Sequence, residues 1–203
     1  MKFTIDQKIL QKYLDVKIGV VVVKNSNNNG DSEEIMTMLE EEQKIATNFS
    51  IETLTKIPAI RLWRNVYASF DSKPREYRCS IEALLRNVLN GRKIRHINRL
   101  VDLYNYISLK YVIPVGGEDL KKIKGDIFFK FASGNESFDP LGTQIEEHPY
   151  PGEVIYCDSA ENVLCRRWNW RESDRTKLSE ETTNAVLVAE GFDDTAILAI
   201  KEL

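Results

Sequence analysis

The sequence is poor in the residues that metal and nucleophile chemistry use most, with two histidines and three cysteines among 203 residues. Cys79, Cys157 and Cys165 form no C-x-x-C pair and are odd in number. That pattern argues against a structural zinc site or a disulfide framework and fits a reducing compartment. Long apolar runs are missing as well. The longest, Ile18 to Val23, is six residues, against the roughly 20 that a membrane-spanning helix needs. No N-terminal segment joins a basic start to a long apolar stretch, so a soluble cytoplasmic protein without a membrane partner is expected. Gly116 and Gly117 lack the spacing and the lysine of a phosphate loop. No metal and no cofactor are expected. No internal repeat, low-complexity segment or flexible linker is found.

Charge is present but uneven, which matters more than the net value of −3. Asp31 to Glu42 carries six acids and no base, whereas Arg86 to Arg99 carries Arg86, Arg92, Lys93, Arg95 and Arg99 and no acid. A second basic region, Arg166 to Lys177, interleaves Arg166, Arg167 and Arg171 with Trp168 and Trp170. Phosphate binding depends on local potential. Such runs are also commonly solvated faces, and both readings stand at this level.

Along the chain, KFTID, QKILQKYLD and KIGVVVVKN read as strand, helix and strand. Ser32 is the expected N-cap of a helix from Glu33 to Thr47. A further helical region over Ile51 to Phe70 is interrupted at Pro58, and Ser80 caps IEALLRNVL, which Gly91 terminates. Pro114, Gly116 and Gly117 predict a turn. Strands are expected in GDIFFKF, EVIYCDS, NVLCRRWNW and AVLVAEGF, and a closing helix in TAILAIKEL. The expected class is α+β, with a helical N-terminal half and a β-rich C-terminal half whose strands pack against helices.

The most specific stretch is Arg92 to Asp119. On a period of about 3.6 residues, Ile94, Ile97, Val101 and Tyr104 share an apolar stripe, and Asn98, Asp102 and Asn105 line another face. After Val101, Asp102, Asn105 and Tyr106 come Pro114, Asp119, the strand Gly125 to Phe131, Gly134 with Glu136, Val154, Ile155 and Asp158. Thr183, Asn184 and the run AVLVAE complete the series. This order resembles the B3/B4 module of the phenylalanyl-tRNA synthetase β subunit, most strongly over residues 92–192. The resemblance implies a single B3/B4-like module over 1–203, whose residues 1–75 form a β-α-β and helical lead. It also implies a tRNA or aminoacyl-tRNA partner and hydrolysis of wrongly charged tRNA. A chain of this length lacks room for the other parts of a β subunit, so action in trans is expected.

The resemblance places a substrate pocket at Asn98, Asp102, Tyr104, Asn105, Pro114, Gly116, Trp170, Val188 and Glu190. Asn98, Asp102 and Asn105 either touch substrate or satisfy nearby loop backbone. Gly116 stands where the family has its pocket histidine, and His96 and His148 lie elsewhere. The acidic residue that ends the family's T-x-N-V-L-L-E aligns with Val188 when counted from Asn184, and with Glu190 after a two-residue gap. Strand alternation puts Val186, Val188 and Glu190 on one face. Glu190 is then a pocket residue or a salt-bridged surface residue. Trp168, Asn169, Trp170 and Arg171 replace the family's glycine-rich loop, and alternation predicts both tryptophans on one face with Arg167, Asn169 and Arg171 on the other. Arg92, Lys93, Arg95, Arg99, Arg166, Arg167 and Arg171 are the expected tRNA-binding residues. The residues of catalysis are not identifiable. The implied function is trans-acting hydrolysis of mischarged aminoacyl-tRNA; the alternative is a non-catalytic RNA-binding or protein-interaction domain with the same fold.

Overall fold

A computed structural model describes residues 1–143 and 145–203. The chain opens with β1 (Phe3–Ile5), α1 (Gln7–Lys12) and β2 (Lys17–Val23), the expected strand, helix and strand. Asp6 fixes the first corner by accepting a hydrogen bond from the Lys8 backbone N–H at 2.9 Å, as an N-cap does. Four helices follow: α2 (Glu33–Ala46), α3 (Pro58–Ala68), α4 (Ser80–Leu89) and α5 (Arg99–Tyr111). Then come β3 (Val115–Asp119), β4 (Ile127–Phe131), β5 (Val154–Asp158), β6 (Val163–Arg166), β7 (Arg171–Glu172), β8 (Ala185–Gly191) and α6 (Thr195–Glu202).

The class is α+β. The strands form two sheets, one of five in the order β1-β4-β5-β6-β7 and one of three in the order β2-β8-β3. β1 runs parallel to β4, and the other pairings are antiparallel. The N-terminal strands thus join strands from the far end of the chain. One core gathers Ile9 of α1 and its C-cap Tyr13 with Trp63, Phe129, Trp168 and Val186. Trp168 sits at its middle, with Tyr13, Phe129 and Trp63 in edge contact at 4.9, 5.0 and 5.2 Å between ring centres. Among the described residues, no helix is long and apolar enough to cross a membrane.

Several local expectations are corrected. Pro58 begins α3 rather than interrupting a longer helix, since the first helical position needs no N–H donor. The N-cap position of α4 is Cys79, with Ser80 already inside the helix. Gly91 stops α4 as expected, at φ +74° with its N–H on the Val88 carbonyl at 2.9 Å. The signature helix begins at Arg99, so Ile94 and Ile97 do not extend its stripe, and Ile97 is exposed. Asn98 is its N-cap, accepting from the Val101 N–H at 3.1 Å.

Gly116 and Gly117 lie within β3, not in a turn. A Cβ on Gly117 would stand 2.4 Å from Leu187 Cδ2 and 3.0 Å from the Val186 carbonyl oxygen, and one on Gly116 would stand 2.6 Å from Glu172 Oε1. Here glycine permits close approach across a sheet. Arg167 and Trp168 have φ of +46° and +69° and break the strand after β6. The alternation expected through Trp170 therefore ends at Arg166.

Candidate functional site

The two sheets border a partly open cavity of about 50 Å³, room for a few water-sized groups. β3 presents Gly116 and Glu118 to it, two residues apart and so on one face, and β8 presents Val186, Val188 and Glu190 by the same rule. The register aligns these faces, with Gly116 opposite Val188 and Glu118 opposite Val186. The five-stranded sheet supplies Tyr156, Cys165 and Glu172, the loop after β6 supplies Trp168 and Asn169, and the start of α4 supplies Ser80. Among the described residues, three acids border the cavity and no lysine, arginine or histidine does.

Glu190 is buried and held by three donors. The Tyr156 hydroxyl and the Trp168 indole N–H, at 2.8 Å, both donate to Oε1, and the Asn169 amide donates to Oε2 at 2.7 Å. Burial outweighs these bonds and raises the carboxyl from 4.5 to about 7. A carboxylate offers about four acceptor positions. One, on Oε2, is left without a donor.

Glu118 and Glu172 form a second acidic feature. Their carboxyls lie within hydrogen-bonding reach of each other, and burial raises both above the ordinary range, with the neighbouring acid adding to the rise at Glu118. Two like charges side by side in a dry site do not both ionise, so the pair retains a proton. Glu118 is 7% exposed; the Thr176 hydroxyl lies beside its carboxyl and the Cys165 thiol beside that of Glu172, while both Oε2 atoms are sealed from solvent without a donor. The Ser80 hydroxyl is likewise unpartnered. Cys165 beside them is kept a thiol by burial, and Cys79 and Cys157 are pushed up to about 12 by the same cause. None is an activated nucleophile.

The structure brings Gly116, Val188 and Glu190 to the cavity but not the other expected pocket residues. Asn98, besides capping α5, donates to the Leu178 carbonyl at 3.3 Å. Asp102 is buried and accepts from His96 Nδ1 at 2.5 Å and the Ile97 N–H at 3.4 Å, and this contact raises the His96 pKa. Both fasten the loop ahead of α5, which is why their spacing reads as a polar line. Asn105 is half-buried in mid-helix. Tyr104 packs behind the acid pair, its phenol raised by burial and by Glu172 and Glu118. Pro114 is buried and holds Glu190 from behind, its carbonyl accepting the Glu190 N–H at 3.1 Å. Trp170 faces away, at 5.0 Å from Tyr77 and 4.6 Å from the Arg167 guanidinium.

The expected tRNA-binding residues divide. Arg92, Lys93 and Arg95 are exposed on the irregular segment before α5. Arg99 is half-buried, with an unpartnered Nε. Arg166 is a correction: it is buried, gripping Glu153 with Nε and Nη2 at 2.9 Å each and Glu147 with Nη1 at 2.6 Å. Arg167 is buried too, stacked 3.6 Å from the centre of the Tyr77 ring. Arg171 is half-buried and donates to the Leu141 carbonyl at 2.9 Å. Arginines that have already exchanged water for buried carboxylates and rings are not offered to phosphates.

Glu118, Glu172 and Tyr156 escaped sequence reasoning. Glu118 carried a signal, since G-x-E in a strand puts the acid on the glycine's face. Glu172 carried none, because the turn at Arg167 and Trp168 resets which way the next strand faces.

No curated protein matches the chain. Among solved structures, it is similar to an N-terminal fragment of the phenylalanyl-tRNA synthetase β subunit from Pyrococcus horikoshii, at 16% identity and a TM-score of 0.49. The likeness covers 99% of this chain and 48% of that one, so the chain spans about half of that fragment's length. The family model of the B3/4 domain matches residues 62–202, which include α4, β3, β7 and β8 and so most of the cavity wall. The chain belongs to the B3/4 domain family.

Proposed function

We propose that the protein binds the acceptor end of tRNA and hydrolyses a misattached amino acid in trans. The observation that carries this reading is the small cavity where Gly116, Val188 and Glu190 meet, because it offers a small side chain a largely apolar wall with unpartnered acceptors. Membership of the B3/4 family and the ordered resemblance along the chain supply the aminoacyl-tRNA context. An aminoacyl ester is activated, so holding it beside a water while excluding larger groups is enough to favour hydrolysis. Water adds to the ester carbonyl, the bond to the ribose oxygen breaks, and the proton released by water ends on that oxygen. Arg92, Lys93 and Arg95 are the side chains exposed for phosphate contact. Three free, buried thiols suit the reducing cytoplasm.

The test is a panel of tRNAs charged with different amino acids, scored for amino acid released by the purified protein. Release confined to small side chains is the expected result. Binding of tRNA without release from any member would leave the non-catalytic reading in its place.

A further inference from the structure

We infer that the cavity between the sheets is a seat for a primary ammonium group, held between the facing carboxyls of Glu118 and Glu172. The inference begins from a local excess of acceptors. Three buried polar oxygens with no partner outside the acid pair line this one cavity: Glu118 Oε2, Glu172 Oε2 and Ser80 Oγ. They equal in number the three N–H donors of an ammonium group. Burying such atoms unpaired is unfavourable, and Glu118 is more than nine-tenths buried.

The backbone is shaped to admit the pair. Glu172 Oε1 lies 2.6 Å from where a Gly116 Cβ would be, so only glycine on β3 lets that carboxyl come forward. Without a ligand, one retained proton relieves the repulsion between the two acids. An ammonium group would take the place of that proton, offset one of the two negative charges and donate to both carboxylates, with the Ser80 hydroxyl on the same cavity wall. Among the described residues, no basic side chain lines the wall to do so instead. A metal ion fits less well, since among the described residues no three histidine, cysteine, aspartate or glutamate groups are placed to share one. The cavity volume of about 50 Å³ limits the ligand to an amine with a small substituent.

The amine could be the α-ammonium of an esterified amino acid, in which case the inference rests on the hydrolytic reading, or that of a free small amine. Titration calorimetry of the full chain separates these sources, using ethylammonium and L-alaninamide against their uncharged counterparts ethanol and N-acetyl-L-alaninamide. Saturable binding of either cation, without binding of its counterpart, supports the seat. Binding of L-alaninamide alone assigns it to an α-ammonium group, and equal binding of ethylammonium assigns it to free amines. Glu118→Gln and Glu172→Gln should each weaken binding at least tenfold. Uncharged ligands binding as well as the cations would overturn the inference, as would unchanged binding by a folded double variant. The wild-type comparison decides the matter even if the variants do not fold. Hydrolysis is scored separately: ammonium binding without deacylation upholds the seat and removes the hydrolytic reading. Equal deacylation of aminoacyl-tRNA and its N-acetylated form does the reverse.

Discussion

Trp168 donates its indole N–H to Glu190 at 2.8 Å, so the carboxyl that borders the cavity is anchored by a fully buried ring of the core. Cavity wall and core therefore meet at one hydrogen bond. Glu190→Ala would strand the donors of Tyr156, Trp168 and Asn169, at about 1–3 kcal/mol for each donor left unsatisfied. In the deacylation assay it should change which amino acid is released or slow release, while tRNA affinity stays near that of the wild type. A loss of tRNA affinity equal to the loss of release would count against a selecting role.

The same carboxyl sets a pH dependence. An unfolded glutamate loses its proton near 4.5, and Glu190 in the fold does so near 7. Between these values the folded state binds more protons, so rising pH favours unfolding. The groups facing it are Tyr156, Trp168, Asn169 and the acid Glu172, which adds to the effect. Denaturant midpoints should fall from about pH 5 to pH 8, and Glu190→Gln should flatten that slope. A midpoint rising over the same range in the wild type would contradict the assignment.

Adjacent glycines should respond differently to alanine. In Gly117→Ala the new methyl meets Leu187 and the Val186 carbonyl, which is fixed backbone, so a loss of about 1–3 kcal/mol is expected in denaturant unfolding. In Gly116→Ala it meets only the movable end of Glu172. Stability should change little, while ammonium binding in the cavity falls sharply.

Basic residues of the two basic regions should separate into two kinds. Arg166→Ala removes the two-point grip on buried Glu153 and leaves it the Arg167 guanidinium at 3.8 Å, so a loss near the lower end of about 3–5 kcal/mol is expected. Arg92→Ala, Lys93→Ala and Arg95→Ala alter exposed side chains and should leave unfolding unchanged. Each should instead make the salt dependence of tRNA binding shallower by about one unit or less on a log-log plot. Salt-independent binding would remove this face from the proposal.

Asn98→Ala tests the cap. Its expected cost is about 0.5–2 kcal/mol of stability, with deacylation by the folded protein unaffected, since Asn98 does not line the cavity.

The α+β class and most element positions were legible because periodicity, capping residues and β-branched runs act locally. The face shared by Val186, Val188 and Glu190 was legible for the same reason, since alternation holds wherever a strand is unbroken. Reasoning failed where a tertiary contact chose the local geometry. Gly116 and Gly117 read as a turn because the sequence does not reveal that Glu172 and Leu187 crowd them. The W-N-W loop read as a continuing strand because left-handed Arg167 and Trp168 are not signalled by residue type. Arg166 read as a phosphate ligand because its partners, Glu147 and Glu153, lie more than a dozen residues away in the chain.

The position of β8 between β2 and β3 bears on how the protein is dissected. The residues that match the family begin at 62, after β2 has ended. A fragment cut at that boundary would bare one side of β8 from Ala185 to Gly191, where seven consecutive residues now pair with Lys17 to Val23. An uncovered, largely apolar edge of that length is a template for another chain, and such a fragment would be expected to aggregate. It would also lose Phe3 from the cavity wall. The boundary of sequence similarity is therefore not a safe boundary for expression.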